Sequence, residues 1–85
     1  MKISLKFFAS VRETLGVSDE TVLLPESVST VGAVRAHLVA RGGVWAQALA
    51  ADKPLRMAFN HVMCSPHTPI AENGEVAFFP PVTGG

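Results

Sequence analysis

The residue types best suited to chemistry lie at the end of the sequence, where Gly84 and Gly85 close the chain. A terminal glycine has no Cβ beside its carboxylate, so an enzyme can thread the end of the chain through a narrow slot. The main-chain carboxylate of Gly85 is therefore a candidate reagent. The alternative is that the glycine pair is an ordinary frayed terminus or a linker scar.

The residues before the glycine pair suit the delivery of a reactive end. Pro80 and Pro81 favour a stiff polyproline-like rod, and the β-branched Val82 and Thr83 keep the chain extended. The segment 80–85 therefore reaches roughly 18–20 Å from the body of the protein, at about 3.1–3.3 Å per residue. We predict that it forms a tail with a stiff base and a flexible tip.

A second group of reactive residue types consists of His61, Cys64 and His67, which follow one another at regular spacing. A structural zinc site needs four ligands, and no fourth cysteine, histidine or acidic residue has a recognisable spacing, so we expect no metal site. Cys64 as a nucleophile would need a neighbouring base and an electropositive pocket, and the sequence predicts neither. We expect a structural thiol and no bound cofactor.

Composition limits what the chain can do by itself. Its 85 residues suffice for one modest core but not for a buried catalytic cavity as well, so a larger partner is expected. Hydrophobic residues make up 48% and charged residues 16%, which argues against disorder and favours some exposed apolar surface. Seven basic residues balance seven acidic ones without clustering, so nothing indicates nucleic acid binding.

The same counts indicate a cellular location. A single cysteine excludes an internal disulfide and fits a reducing cytosol. No apolar run approaches the length of about 18 residues that a membrane span needs, and Lys6 and Arg12 interrupt the region where a signal peptide would be apolar. We expect a soluble, cytoplasmic protein that does not bind membranes.

Apolar periodicity predicts the first half of an α+β domain. Lys2–Phe8 alternates as a half-buried strand, and Thr21–Leu24 forms a second strand that stops at Pro25. Between them, Ser10 is expected to cap a short helical turn that ends at Gly16. The residues of the first strand that face the core are Ile3, Leu5 and Phe7.

The second half is predicted to begin with the main helix, which Thr30 caps and Gly42–Gly43 ends. The buried stripe of this helix consists of Val31, Val34 and Leu38. A shorter helical piece follows, with apolar residues at Trp45, Ala48 and Leu49. Met57–Met63 and Glu75–Phe79 are the last two strands, and an Asn73–Gly74 turn leads into the second of them.

This order of elements fits a β-grasp architecture, in which one main helix packs across one face of a mixed sheet. If the second strand is antiparallel to the first and the chain crosses over through the helix, the first and last strands lie parallel at the sheet centre. Residues 1–79 would form this domain, and residues 80–85 would form the tail.

Two phenylalanine pairs cannot be fully buried by a sheet covered on one side, because successive side chains point to opposite faces. With Phe7 and Phe78 in the core, the outward apolar set comprises Phe8, Met63, Ala77 and Phe79. Apolar patches of this kind usually mark a protein interface, with loops or tail residues folding over them as the alternative. Arg12, on the turn after the first strand, is either a solvated charge or a rim contact for a partner.

Four segments carry a resemblance to a known family: Phe7–Gly16, Trp45 with Ala48–Leu49, Asn60, and Gly74–Gly85. In them the chain resembles the small, sulfur-carrier subunits of molybdopterin synthase, in the MoaD/ThiS family of ubiquitin-like proteins. The matches span nearly the whole chain. Asn73, His61 and Cys64 stand where this family more often has aspartate, glutamine and an apolar residue, but they remove no motif on which the resemblance rests.

The resemblance implies a ubiquitin-like fold and a chemistry for Gly85. An ATP-dependent, E1-like activating enzyme would adenylate the carboxylate, and a sulfur donor would convert the acyl-adenylate to a thiocarboxylate. The tail would then enter the large subunit of molybdopterin synthase, within a heterotetramer, and give its sulfur to cyclic pyranopterin monophosphate. The catalytic groups would lie on the large subunit, so this chain would be the non-catalytic sulfur donor in molybdenum cofactor biosynthesis.

The resemblance also implies contact residues. Phe8, Met63 and Phe79 would dock both partners, and Arg12 would contact the activating enzyme. Three other functions remain open: a carrier for thiamin thiazole or another sulfur-containing product, a ubiquitin-like modifier whose Gly85 is joined to a lysine, and an interaction domain with an inert tail.

Overall fold

Five strands form one mixed sheet in the computed structural model, which describes residues 1–81 of the chain. They are β1 (Lys2–Phe7), β2 (Asp19–Leu23), β3 (Arg56–Phe59), β4 (Val62–Cys64) and β5 (Glu75–Phe79). Their order across the sheet is β2-β1-β5-β3-β4, and β1 runs parallel to β5 while the other neighbours are antiparallel. The predicted α+β, β-grasp fold is confirmed, with the first and last strands parallel at the centre.

Alternation along the two central strands builds the core. Ile3, Leu5 and Phe7 of β1 are at most 1% exposed, and Val76 and Phe78 of β5 are fully buried. The parallel register places Leu5 beside Val76 and Phe7 beside Phe78, so these side chains lie on one face, called here the inner face. Burying each of the larger side chains contributes about 1.5–3 kcal/mol to folding.

Three helices pack against the inner face: α1 (Ala9–Leu15), α2 (Val31–Val39) and α3 (Gly43–Leu49). Thr30 caps α2 as predicted, because its Oγ1 accepts a hydrogen bond from the backbone N of Ala33 at 3.1 Å. The predicted stripe of α2 is fully buried, and it consists of Val31, Val34 and Leu38. No helix in residues 1–81 has the length and apolar character needed to cross a membrane.

An aromatic cluster joins α3 to the two central strands. The Phe7 ring meets Trp45 edge to face with centroids 5.6 Å apart, and it stacks on Phe78 at 6.3 Å. Such pairs add about 0.5–1.5 kcal/mol each beyond the area that they bury. These aromatic contacts stabilise the end of the sheet at which β5 leads into the tail.

Two predicted helix boundaries were wrong. Ser10 does not cap α1, because the helix already begins at Ala9 and the Phe8 carbonyl accepts the first hydrogen bonds from the backbone N atoms of Val11 and Arg12. α2 stops at Val39, earlier than predicted, although Gly42 and Gly43 have the expected left-handed φ angles of 76° and 55° and the backbone N of Gly42 donates to the Val39 carbonyl at 3.0 Å. Gly42 also begins α3, because its carbonyl accepts a hydrogen bond from the backbone N of Trp45 at 3.1 Å.

The predicted strand Met57–Met63 is a hairpin rather than one strand. β3 and β4 are separated by Asn60 and His61, which have φ angles of 50° and 69°. Positive φ at both central residues is the geometry of a two-residue hairpin turn, and asparagine tolerates it better than most residues. The second strand also begins earlier than predicted, at Asp19 rather than Thr21.

Candidate functional site

The outer face of the sheet has a floor of small residues. One row of register partners crosses this face, and it consists of Lys6, Ala77, Ala58 and Met63. Because Phe78 points into the core, its neighbour Ala77 and the rest of the row lie on the opposite face. Ala58 and Ala77 are nevertheless only 8% and 7% exposed, since larger side chains stand around them.

Two aromatic rings form a wall beside this floor. The rings of Phe8 and Phe79 meet edge to face with centroids 6.4 Å apart, and the backbone N of Phe8 donates to the Phe78 carbonyl at 3.3 Å. Phe8 is 49% exposed, Met63 is 55% exposed, and Phe79 is half-buried. We call the following set the outer patch: Phe8, Ala58, Met63, Ala77 and Phe79.

The outer patch lines a shallow depression of about 410 Å³ with a polar rim of Lys6, His61 and Glu75. The His61 Nε2 atom lies 3.6 Å from Glu75 Oε2, and Asn60 Oδ1 accepts a hydrogen bond from the Glu75 backbone N at 2.9 Å. The depression is open to solvent, whereas sites for small molecules bury most of their ligand. Its shape and apolar floor suit the side chain of a protein partner.

The predicted reactive tail begins at the edge of this patch. β5 ends at Phe79, and Pro80 and Pro81 follow it as half-buried residues outside any strand or helix. The remaining tail residues, Val82, Thr83, Gly84 and Gly85, lie outside the described part of the chain. The reactivity of Gly85 and the extended form of the tail therefore stay predictions.

The other candidate residues lie apart from one another. Arg12 is exposed on α1, in the turn that follows Phe8, as a rim contact requires. Cys64 packs half-buried against the core cluster, in keeping with a structural thiol. Within residues 1–81, no three histidine, cysteine or acidic side chains are grouped so that they could hold a metal ion.

Sequence reasoning missed part of this surface. Ala58 completes the floor and Arg56 stands beside Phe79, yet neither was a candidate. Strand alternation could have found both, because Met57 is a core residue and its two neighbours must then face outward. Alternation with Leu5 and Phe7 places Lys6 on the outward side of the first strand, but its row partners depend on a register that the sequence does not give.

Comparison with known proteins places this geometry in a family. A model of the ThiS family matches residues 5–85. Two relatives, from Haemophilus influenzae and Escherichia coli, are each named molybdopterin synthase sulfur carrier subunit. They are 40% and 45% identical to this chain over 83 residues, which cover 98% of this chain and 99% of each relative.

Solved structures show the same fold. SAMP1 from Haloferax volcanii superposes with a TM-score of 0.80 at 24% identity and covers 100% of both chains. A chain in the complex of subunits 1 and 2 of the molybdopterin-converting factor from Helicobacter pylori has a TM-score of 0.67 at 19% identity, also with 100% of both chains covered. At these identities the likeness supports the ubiquitin-like β-grasp fold alone.

Proposed function

The chain belongs to the ThiS family, and on that premise we propose that it is the sulfur carrier subunit of a molybdopterin synthase. The observation that carries the proposal is an exposed apolar patch at the root of a Gly-Gly tail. Phe8 and Phe79 are exposed or half-buried beside the point where the tail begins at Pro80. The two relatives named as sulfur carrier subunits match this chain along nearly its whole length.

The chemistry takes place at the carboxylate of Gly85. A carboxylate is a poor electrophile without a good leaving group, so an activating enzyme first joins it to the AMP part of ATP and releases pyrophosphate. Sulfur delivered at the oxidation level of hydrosulfide then attacks the acyl carbon, the bond to AMP breaks, and loss of the proton from sulfur leaves a thiocarboxylate. Its sulfur is anionic and polarisable, so it is a good nucleophile toward the substrate of the synthase.

The substrate of this transfer is cyclic pyranopterin monophosphate, bound in the large subunit. The sulfur of each carrier bonds to the substrate to form a thioester, and water then breaks the acyl–sulfur bond and returns Gly85 to a carboxylate. The two sulfurs of the dithiolene therefore consume two charged carriers. In this proposal the catalytic groups for this step lie on the large subunit. We propose that it binds no cofactor and that ATP is used by the activating enzyme.

Both protein partners dock on the outer patch in this proposal. Phe8, Met63 and Phe79 are the apolar contacts, and Arg12 contacts the activating enzyme. The Helicobacter pylori chain of this fold is part of a complex of subunits 1 and 2 of the molybdopterin-converting factor, which supports a large-subunit partner. Because one face serves both partners, the carrier must leave the large subunit before it is recharged. The activating enzyme, the sulfur donor and the cytoplasmic location remain predictions.

The proposal is tested by intact-mass measurement after incubation of the chain with its activating enzyme, ATP and a sulfur donor. We expect the mass increase of one oxygen replaced by one sulfur, located on the C-terminal peptide. Deletion of Gly85 should abolish the increase and leave thermal unfolding unchanged. An unaltered mass would contradict the carrier, and lysine-linked conjugates as the main product would favour a ubiquitin-like modifier.

A further inference from the structure

Arg56 lies directly beside the tail root, although no sequence motif marks it. In the antiparallel pairing of β3 with β5, Arg56 is the register partner of Phe79, just as Met57 is the partner of Phe78. Met57 and Phe78 are buried in the core, so Arg56 and Phe79 share the outer face. Side chains in such opposite positions have Cβ atoms about 4.5–5.5 Å apart.

The four arginines of the chain divide into two pairs with different surroundings. Arg35 donates to the carbonyls of Leu49, Ala50 and Lys53 and thereby holds the end of α3, and its burial lowers its pKa. Arg41 donates to both carboxylate oxygens of Glu20 at 3.0 and 2.6 Å and lies 4.4 Å from the Trp45 ring centroid. The fold itself uses both of these guanidinium groups.

Arg12 and Arg56 form the other pair. Both are exposed, and within residues 1–81 neither has a carboxylate oxygen within 4.0 Å. Arg12 follows Phe8 by one helical turn, and Arg56 stands across from Phe79. Each of the two aromatic residues of the outer patch thus has a nearby arginine, by strand register or by one helical turn, without an acidic partner in this part of the chain.

A partner that covers Phe79 must also cover Arg56, because the two side chains are neighbours. The aliphatic stem of arginine can extend the apolar contact, but its guanidinium group loses water when it is covered. Leaving a covered charge unpaired is costly, whereas a carboxylate can accept two parallel hydrogen bonds from the guanidinium fork. The chemistry of this position thus selects for an acidic group on the partner.

We propose that Arg56 is a partner-selecting residue, which pairs with a carboxylate on the large subunit next to the pocket that receives Phe79. Arg12, which lies one helical turn after Phe8, is the second exposed arginine close in the chain to the outer patch. This inference rests on the proposed function, since it takes the large subunit to be the protein that covers the outer patch. Beyond the proposed function, the inference specifies that the large subunit has a negative charge where it covers Arg56.

The test measures the affinity of the full chain for the molybdopterin synthase large subunit of the same organism, by titration calorimetry or by binding to the immobilised large subunit. Arg56→Glu should weaken binding about tenfold or more, and Arg56→Lys should weaken it less, because lysine keeps the charge but loses the fork. Lys2→Glu is the matched control, since Lys2 is an exposed cationic residue at the start of β1, whereas Phe8 of the outer patch follows the end of β1. It should change the affinity by less than about twofold.

The salt dependence of binding shows whether a variant binds more weakly because an ion pair is lost or because the shape of the surface has changed. Binding of the unaltered chain should weaken with salt more steeply than binding of Arg56→Gln, and all variants should unfold at the same temperature. Equal affinities for the unaltered chain and Arg56→Glu would overturn this inference alone. Absence of binding by the unaltered chain would overturn the proposed function and this inference together.

Discussion

The inner and outer faces of the sheet are made from adjacent residues of the same strands, yet one face is buried in the core and the other faces outward. Phe7 and Phe78 are 1% and 0% exposed, whereas their neighbours Phe8 and Phe79 look outward and Phe8 is 49% exposed. The chemistry of the four side chains is identical, so hydrophobicity cannot explain the difference. Strand alternation decides which phenylalanine stabilises the fold and which stays on the outer face, where we propose that a partner docks.

The two faces also differ in the size of their central residues. The inner face has large side chains at the middle of the sheet, among them Leu5 and Val76. The outer face has Ala58 and Ala77 in the corresponding place, with Phe8 and Phe79 at the edge. A filled centre holds the domain together, whereas a small-residue floor with a raised aromatic edge leaves room for another protein.

The largest effect is expected on the inner face. Phe78→Ala removes a fully buried ring that stacks on Phe7, and it should lower the free energy of unfolding by about 3–5 kcal/mol. Urea unfolding followed by circular dichroism measures this loss. A change below about 1 kcal/mol would mean that the inner face does not carry the stability assigned to it.

The matched change on the outer face should act on binding instead. Phe79→Ala should weaken association with the large subunit by roughly 2 kcal/mol or more, because an aromatic anchor of the outer patch is lost. Titration calorimetry gives the affinity, and urea unfolding serves as the control for the fold. A variant that unfolds like Phe78→Ala but still binds normally would erase the distinction between the faces.

A smaller loss of stability is expected from a change at Thr30, the N-cap of α2. This helix packs against the inner face. Thr30→Ala removes the hydrogen bond from the Ala33 backbone N and should cost about 1 kcal/mol of stability. The affinity for the large subunit should stay the same, because the outer patch is not touched. Weaker binding in the folded variant would show that the two faces are coupled.

The sequence predicted the inner face well because periodicity reports burial directly. Ile3, Leu5 and Phe7 were assigned to the core from alternation alone, and Val31, Val34 and Leu38 from helical spacing. The Thr30 cap and the Glu75–Phe79 strand were also correct. Ser10 was wrong because a residue type suited to a cap does not show whether the backbone needs one there. The Gly42–Gly43 pair has the expected left-handed backbone, but α2 already ends at Val39.

The outer face was harder to predict because it depends on strand register. The turn at Asn60 and His61 was missed, and a continuous strand would have placed Met57 and Met63 on the same face. The hairpin reverses this relation, so that Met57 is buried and Met63 is 55% exposed. The positions of Arg56 and Ala58 beside the tail root follow from that turn and from the β3–β5 pairing.

The central claim is that sulfur held at Gly85 is the sulfur that appears in the product. The most direct test is a single-turnover experiment in which the thiocarboxylated chain is mixed with the large subunit and cyclic pyranopterin monophosphate, and mass spectrometry follows carrier and product. We predict that the chain returns to its carboxylate mass while product forms, with two carriers consumed per dithiolene. Product formed without loss of sulfur from the chain, or sulfur lost without product, would contradict the account.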